Sequence, residues 1–379
     1  MSKGKKIEAD DAKKQRIAFF LPSLAMGGVE RSTVRLANDL AAKGYSIDMV
    51  LVKSTGPLLH DLSKDVRVVD LRAYRLMTSV FALAGYLSKF QPVAMISAMD
   101  EANLIAIWAK RLSRVSTRLI VSVRIALSES LRAKGGIKRL LLPRLIGPAY
   151  LRHADAIVAV SAGVADDLAA LTGLPREKIE VIYNGVVSRE LQIKGRETIN
   201  HPWLVENAPP VILGVGRLDA AKDFTTLIEA FAELRARQPA RLMILGDGPE
   251  RARLEALIAR LGVTEDVALP GFAANPYPYM KAARLFVLSS RREGLPGVLI
   301  EAVALGTSVV STDCPSGPHE ILEDGKWGRL VPVGDAAALT AAMREALANP
   351  GPDPSPRGAE FTIARASGRY LDLIDRIGC

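Results

Sequence analysis

The sequence predicts an α/β protein built from two doubly wound parallel sheets. Three observations carry that reading. Short apolar runs alternate with segments of helical periodicity, the mark of a sheet covered on both faces. The alternation lapses in a polar stretch and restarts at Val211. The chain has 379 residues, 49% hydrophobic and 24% charged, too long for one ordinary core and suited to two.

The elements follow in order. Residues 1–15 are Lys-rich without apolar period and read as a disordered tail. Arg16–Leu21 (RIAFFL) is a buried strand, and Arg31–Lys43 is helical through Val34, Ala37, Leu40 and Ala41. Gly44 ends that helix before the strand Ile47–Val52. Val66–Leu71, Val93–Ile96, Arg118–Val123, Ala156–Val160 and Ile179–Ile182 continue the strand series of a first domain, residues 16–190. A linker is expected at 191–210, where Pro209-Pro210 stops any helix. The second domain, 211–357, opens with Val211–Val215. It continues through Arg241–Leu245, Val267–Leu269, Leu285–Leu288, Ser308–Ser311 and Gly328–Val331. Helices at Phe224–Arg237, Glu250–Leu261, Gly297–Leu305 and Ala336–Ala348 separate these strands. Residues 358–379 are expected to form a C-terminal helix packing back on the first domain.

Composition excludes several classes. Two cysteines, Cys314 and Cys379, make no disulfide framework and no four-cysteine zinc site, so a reducing cytoplasm is the expected setting. The longest uncharged stretch, Val267–Met280, is 14 residues with three prolines, too short to span a bilayer. The net charge of +9 is unevenly placed: residues 1–190 hold 29 Lys+Arg against 18 Asp+Glu. Glu101–Ala154 alone holds 11 basic and 2 acidic residues. Such a face reads either as a site for an anionic partner or as a solvated surface. Trp108 and Tyr150 are that segment's only aromatics, so a nucleic-acid platform is not indicated.

The chemistry concentrates in Ser289–Gly317. The turn Glu293-Gly294-Leu295-Pro296-Gly297 follows a strand and opens a helix, where free amides and the helix dipole favour a phosphate. Glu293 stands in the turn; Glu301 lies about five residues into the helix, roughly 7 Å along its axis. One carboxylate can face the reacting part of a ligand while the other meets a hydroxyl-rich part. Upstream, Gly214 and Gly216 permit close approach to the backbone, and Arg217 and Lys222 put two cations at the same strand edge. Two cations match a diphosphate without metal. Gly246-Asp247-Gly248 and Gly27-Gly28 are further strand-to-helix turns. No His-Glu-x-x-His and no Asp-x-Asp at a strand end indicates a metal, and no Ser/His/Asp triad is arguable.

On these residues the chain resembles glycosyltransferase family 4, from about Ile17 to the C-terminus and most specifically across Val211–Asp335. The resemblance implies the GT-B architecture, two Rossmann-like domains facing across a cleft. It also implies a retaining, metal-independent transfer of a hexose or N-acetylhexosamine from a nucleotide sugar, UDP-linked. By it, Glu293 contacts the donor sugar near its reacting carbon and Glu301 binds the ribose. Arg217 and Lys222 hold the diphosphate with the amides of Leu295 and Gly297 and the Gly27-Gly28 turn. The loop Gly271, Phe272, Asn275 pairs with the base, and Gly216 lets the donor approach. The wording of the C-terminal half is most similar to bacterial enzymes building surface polysaccharides on lipid carriers. No cofactor and no nucleic-acid partner is implied.

One departure qualifies it, and one basic segment keeps two readings. Many relatives carry a histidine on the loop after the fourth strand; here that loop holds Asp100 and Glu101, candidates for the acceptor side. In Leu131–Ala154, Lys138, Arg139 and Arg144 lie among leucines, fitting either an interfacial helix on anionic lipid or an ordinary helix packed on the sheet. A peripheral position on the cytoplasmic face of the inner membrane is the expectation. Another GT-B enzyme, such as a nucleotide-sugar epimerase, and a non-enzymatic anion binder stand as alternatives.

Overall fold

The computed structural model describes residues 15–132 and 137–378. The tail assigned to residues 1–15 lies outside them except for Gln15. The chain divides into two units: the first runs to Gly185 and resumes at Ile363, and the second is Val186–Thr362.

The first unit holds seven parallel strands: β1 (Arg16–Leu21), β2 (Ser46–Leu51), β3 (Val66–Asp70), β4 (Ala94–Ala98), β5 (Arg118–Val123), β6 (Ala156–Ala159) and β7 (Ile179–Val181), in the order β3-β2-β1-β4-β5-β6-β7. Ile17 to Leu21 are all fully buried, as a strand covered on both faces requires. Its helices are α1 (Gly28–Ala42), α2 (Ser79–Phe90), α3 (Asp100–Ser113), α4 (Leu127–Arg132), α5 (Ile137–His153) and α6 (Ala162–Thr172). α1 starts three residues before the position that periodicity predicted. Its N-cap, Gly27, has no side chain to signal a start. The segment read as one basic helix over Leu131–Ala154 takes in the end of α4 and the whole of α5, and α5 carries Pro143 and Pro148 within it.

The second unit opens with α7 (Arg189–Lys194) and holds β8 (Val211–Val215), β9 (Arg241–Leu245), β10 (Val267–Gly271), β11 (Leu285–Leu288), β12 (Val309–Thr312) and β13 (Arg329–Val331), in the order β10-β9-β8-β11-β12-β13. Between them run α8 (Phe224–Arg235), α9 (Arg251–Arg260), α10 (Tyr277–Ala282), α11 (Gly297–Ala304), α12 (Pro318–Leu322) and α13 (Ala336–Ala348). α13 starts where Asp335 accepts the Ala338 N–H at 2.9 Å.

The boundary between units falls at Gly185/Val186, not within the linker expected at 191–210. Residues 191–210 belong to the second unit: Ser188 caps α7 through the Leu191 N–H, and Leu191 is buried. The chain passes between units twice, side by side. The N–H groups of Val186 and Val187 both donate to the Phe361 carbonyl, at 2.8 and 2.9 Å. A Cβ on Gly185 would stand 2.6 Å from the Ile363 Cα, so that position needs a glycine. Beyond the second passage α14 (Ile363–Arg376) returns to the first unit. There Tyr370, Leu373 and Ile374 join the same apolar cluster as Phe19, Leu40 and Val158.

Candidate active site

In each sheet the strand order reverses once, between β1 and β4 and between β8 and β11. Open parallel sheets bind ligands outside the carboxyl ends of strands at such points. The segment after β8 carries Arg217 and Lys222, and the segment after β11 carries Glu293. Their spacing of 71 residues therefore closes to a contact: Lys222 Nζ lies 2.5 Å from Glu293 Oε1. Ser290 Oγ donates to the same oxygen at 2.7 Å. The two side chains are 21% and 12% exposed, poorly hydrated but reachable.

The two loops are fastened together by backbone. Ser289 Oγ donates to the Lys222 carbonyl and the Arg291 N–H to the Ala221 carbonyl, both at 2.8 Å. Asp223, buried at the left-handed φ of 48°, accepts from Thr226 Oγ1 at 2.7 Å and faces Arg291 at 2.9 Å. On the other side Ser316 Oγ donates to the Glu293 carbonyl at 2.6 Å, and a Cβ on Gly317 would come 2.5 Å from Pro296. Gly246, at φ 148°, lies so close to Gly216 that a Cβ would overlap the Gly216 carbonyl oxygen. Three strand ends are thus packed backbone to backbone around the Lys222–Glu293 pair.

Other residues singled out from the sequence fall unevenly. Glu301 is buried on α11, with the Tyr277 hydroxyl donating to its Oε1 at 3.4 Å. Gly297 opens α11, and Leu295 is buried just before it. The first amides of a helix have no partner within it, and no side chain caps this one. Arg217 instead stands out from the surface, 72% exposed, with Nε 4.0 Å from Asp219. Gly271 ends β10 at φ 93° and Phe272 is exposed. The Asn275 side chain is engaged within the unit. It donates to Glu197 at 2.7 Å and to the Lys194 carbonyl at 3.3 Å, and accepts from the Tyr277 N–H.

Cys314 sits near this pair, and burial, reinforced by the Glu293 charge, pushes its thiol up to about 12. A thiol that remains protonated at neutral pH is no nucleophile. Among the described residues no group of three or more His, Cys, Asp or Glu side chains converges as a metal site. Ser290, Ser316 and Tyr277 were not anticipated from sequence, although a serine pair ending a strand three residues before a glutamate is a usable signal.

In the first unit, Gly27-Gly28 opens α1 beside the β1/β4 reversal, and a Cβ on Gly28 would meet nothing within 4 Å. Asp100 and Glu101 begin α3 on the adjoining strand end. Met99 before them holds φ 81°, a conformation costly for a side-chain-bearing residue and frequent at functional loops. On α5, Arg144, Leu141 and Leu145 are exposed while Ile146 and Tyr150 are buried. The side chains of Lys138 and Arg139 lie outside the described residues. Among those described, no helix is long and apolar enough to cross a membrane.

Two Rossmann-like units, each an open parallel sheet with one reversal of strand order, are the architecture of the GT-B glycosyltransferases. Residues 26–189 match the model for Glycosyltransferase Family 4, and residues 209–349 match that for Glycosyl transferases group 1. The chain belongs to this family. It is 29% identical to the N-acetylgalactosamine-N,N'-diacetylbacillosaminyl-diphospho-undecaprenol 4-alpha-N-acetylgalactosaminyltransferase of Campylobacter jejuni, over 88% of this chain and 90% of that protein. It is also 29% identical to the lipopolysaccharide core biosynthesis glycosyltransferase LpsE of Rhizobium meliloti, over 85% and 86%. In fold it resembles Anabaena Alr3699/HepE, solved with UDP, with a TM-score of 0.77 and 19% identity over 96% of this chain and all of that one.

Proposed function

We propose that this glycosyltransferase moves a hexose or N-acetylhexosamine from a UDP-sugar to a glycan or lipid-linked glycan during assembly of a cell-surface polysaccharide. In this reading it acts with retention and without a metal, on the cytoplasmic face of the membrane. The Lys222–Glu293 pair at the β8/β11 reversal carries the reading. A fixed cation and a fixed carboxylate on adjacent strand ends match the two charges that develop as a glycosyl–phosphate bond breaks: anionic on the departing diphosphate, cationic on the sugar.

Each residue then has a task. Lys222 and the exposed Arg217 meet the diphosphate, supported by the uncapped start of α11. Glu293, steadied by Ser290, faces the sugar. Glu301, held by Tyr277, accepts from the ribose hydroxyls. Asp100 and Glu101 face the acceptor from the first turn of α3, and no base for back-side attack is assigned to either. Front-face attack follows: the acceptor oxygen bonds to the anomeric carbon, the glycosyl–phosphate bond breaks, and the leaving phosphate oxygen takes the acceptor proton. The Campylobacter relative's diphospho-undecaprenol acceptor and the UDP in the Anabaena protein support the substrate classes. Arg144 beside exposed leucines on α5 supports peripheral attachment to anionic lipid.

One experiment tests the whole. The purified protein is incubated in excess EDTA with a panel of α-linked UDP-, GDP- and ADP-sugars and a lipid-linked acceptor, and the product linkage is assigned by NMR. Turnover of a UDP-sugar to an α-linked product is expected. A β-linked product refutes retention, and activity restored only by Mg²⁺ or Mn²⁺ refutes the metal-free route.

A further inference from the structure

The first unit buries a guanidinium whose hydrogen bonds are only partly met. Arg124, the first residue beyond β5, is 8% exposed. Its Nη1 donates to the Asn184 side chain and lies 3.5 Å from Ser32 Oγ. Its Nε and Nη2 have no acceptor at all, and no carboxylate among the described residues pairs with it. Folded chains rarely leave a buried charge in this state, because desolvating it without partners is strongly unfavourable. Placement gives the reason for the exception. Asn184 lies just past β7 and Ser32 in the early turns of α1, so Arg124 sits at the carboxyl edge of the sheet beside the start of α1, where the buried Glu30 carboxylate accepts from its own backbone N–H. Gly27-Gly28 opens that helix, with free space above Gly28. An arginine fork and helix amides share one preferred ligand, a phosphoryl group.

We propose that Arg124, held by Asn184, is a phosphoryl-binding residue that the first unit contributes to the reaction. The phosphoryl group belongs to the diphosphate of the donor or to that of a lipid-linked acceptor. This rests on the diphosphate substrates of the function proposed above. The residue is unsatisfied until substrate arrives and is fully paired afterwards.

The test compares wild type with Arg124→Met and Arg124→Lys by thermal melting and by calorimetric titration with inorganic pyrophosphate, UDP and geranyl diphosphate. Arg124→Met removes an unsatisfied buried charge, so without ligand its melting temperature should equal or exceed that of wild type. Its affinity for pyrophosphate should fall about ten- to a hundredfold, the scale of charge-assisted hydrogen bonds. Arg124→Lys keeps the charge without the fork and should fall between. A loss confined to UDP assigns the donor diphosphate; one confined to geranyl diphosphate assigns the acceptor's. Unchanged affinities in both variants overturn the inference while leaving the proposed function standing, and a lowered melting temperature with unchanged affinities makes Arg124 a packing residue. Wild type that binds none of the three probes refutes the proposed function as well.

Discussion

Replacing Glu293 by Gln should separate catalysis from donor binding, and in opposite directions. In the resting protein Lys222 is committed to Glu293 at 2.5 Å, with both side chains largely out of solvent. A hydrogen bond between charged groups contributes about 1.5–3 kcal/mol, and its neutral counterpart about 1 kcal/mol. Glu293→Gln retains an acceptor for Ser290 and Lys222 but discharges it, releasing the lysine from roughly 0.5–2 kcal/mol of attraction. UDP, which competes for that lysine, should then bind about 2- to 30-fold more tightly. Transfer should fall about 10²–10³-fold, because the carboxylate no longer meets positive charge on the sugar. Steady-state kinetics gives kcat, and calorimetric titration gives the affinity of UDP. A double-mutant cycle with Lys222→Ala measures the coupling directly. UDP affinity falling in step with kcat would refute the reasoning and make Glu293 a scaffold for its loop.

Glu301→Ala should weaken UDP binding about tenfold to more than a hundredfold, and Tyr277→Phe by less than about tenfold, since it only steadies the carboxylate; unchanged UDP affinity in the alanine variant removes Glu301 from the ribose. Gly246→Ala should lower stability by at least about 2 kcal/mol, read as a fall in Tm, because its Cβ has nowhere to go beside the Gly216 carbonyl. A wild-type melt would contradict that packing. Binding to anionic liposomes, absent with neutral ones, should disappear at high salt and on neutralising Lys138, Arg139 and Arg144 together. Equal binding to both liposome types would leave α5 without a membrane role.

Legibility followed distance along the chain. The turn at Glu293 and the helix bearing Glu301 are adjacent in sequence, so their relation could be read from helical rise alone. The Lys222–Glu293 contact could not, because it exists only when β8 and β11 become neighbours, and strand order is not written in any local pattern. Asn275 shows the same effect in reverse. An asparagine on a strand-end loop looks available, yet its side chain is taken up by Lys194 and Glu197, about 80 positions earlier. Residues 191–210 looked like a linker because they are polar, although Leu191 is buried and Gln192 Nε2 donates to the Ala304 carbonyl at 2.8 Å. Pro143 and Pro148 obscured the course of α5. Arg124 was visible only as one cation in a basic segment, since burial without acceptors is a property of the fold.

The return of α14 to the first unit has a consequence for how the molecule is made. During synthesis the segment ending at Gly185 emerges before the second unit, but its core is incomplete without Tyr370, Leu373 and Ile374. Each such buried side chain is worth about 1.5–3 kcal/mol, a large share of the stability of a typical domain. The Val186–Thr362 unit is contiguous and can fold as it emerges. The nascent chain is therefore expected to complete its second unit before its first, whose apolar core stays open until α14 has been translated. A message truncated just before Ile363 would yield a sound second unit joined to a first unit that chaperones and proteases recognise as unfinished.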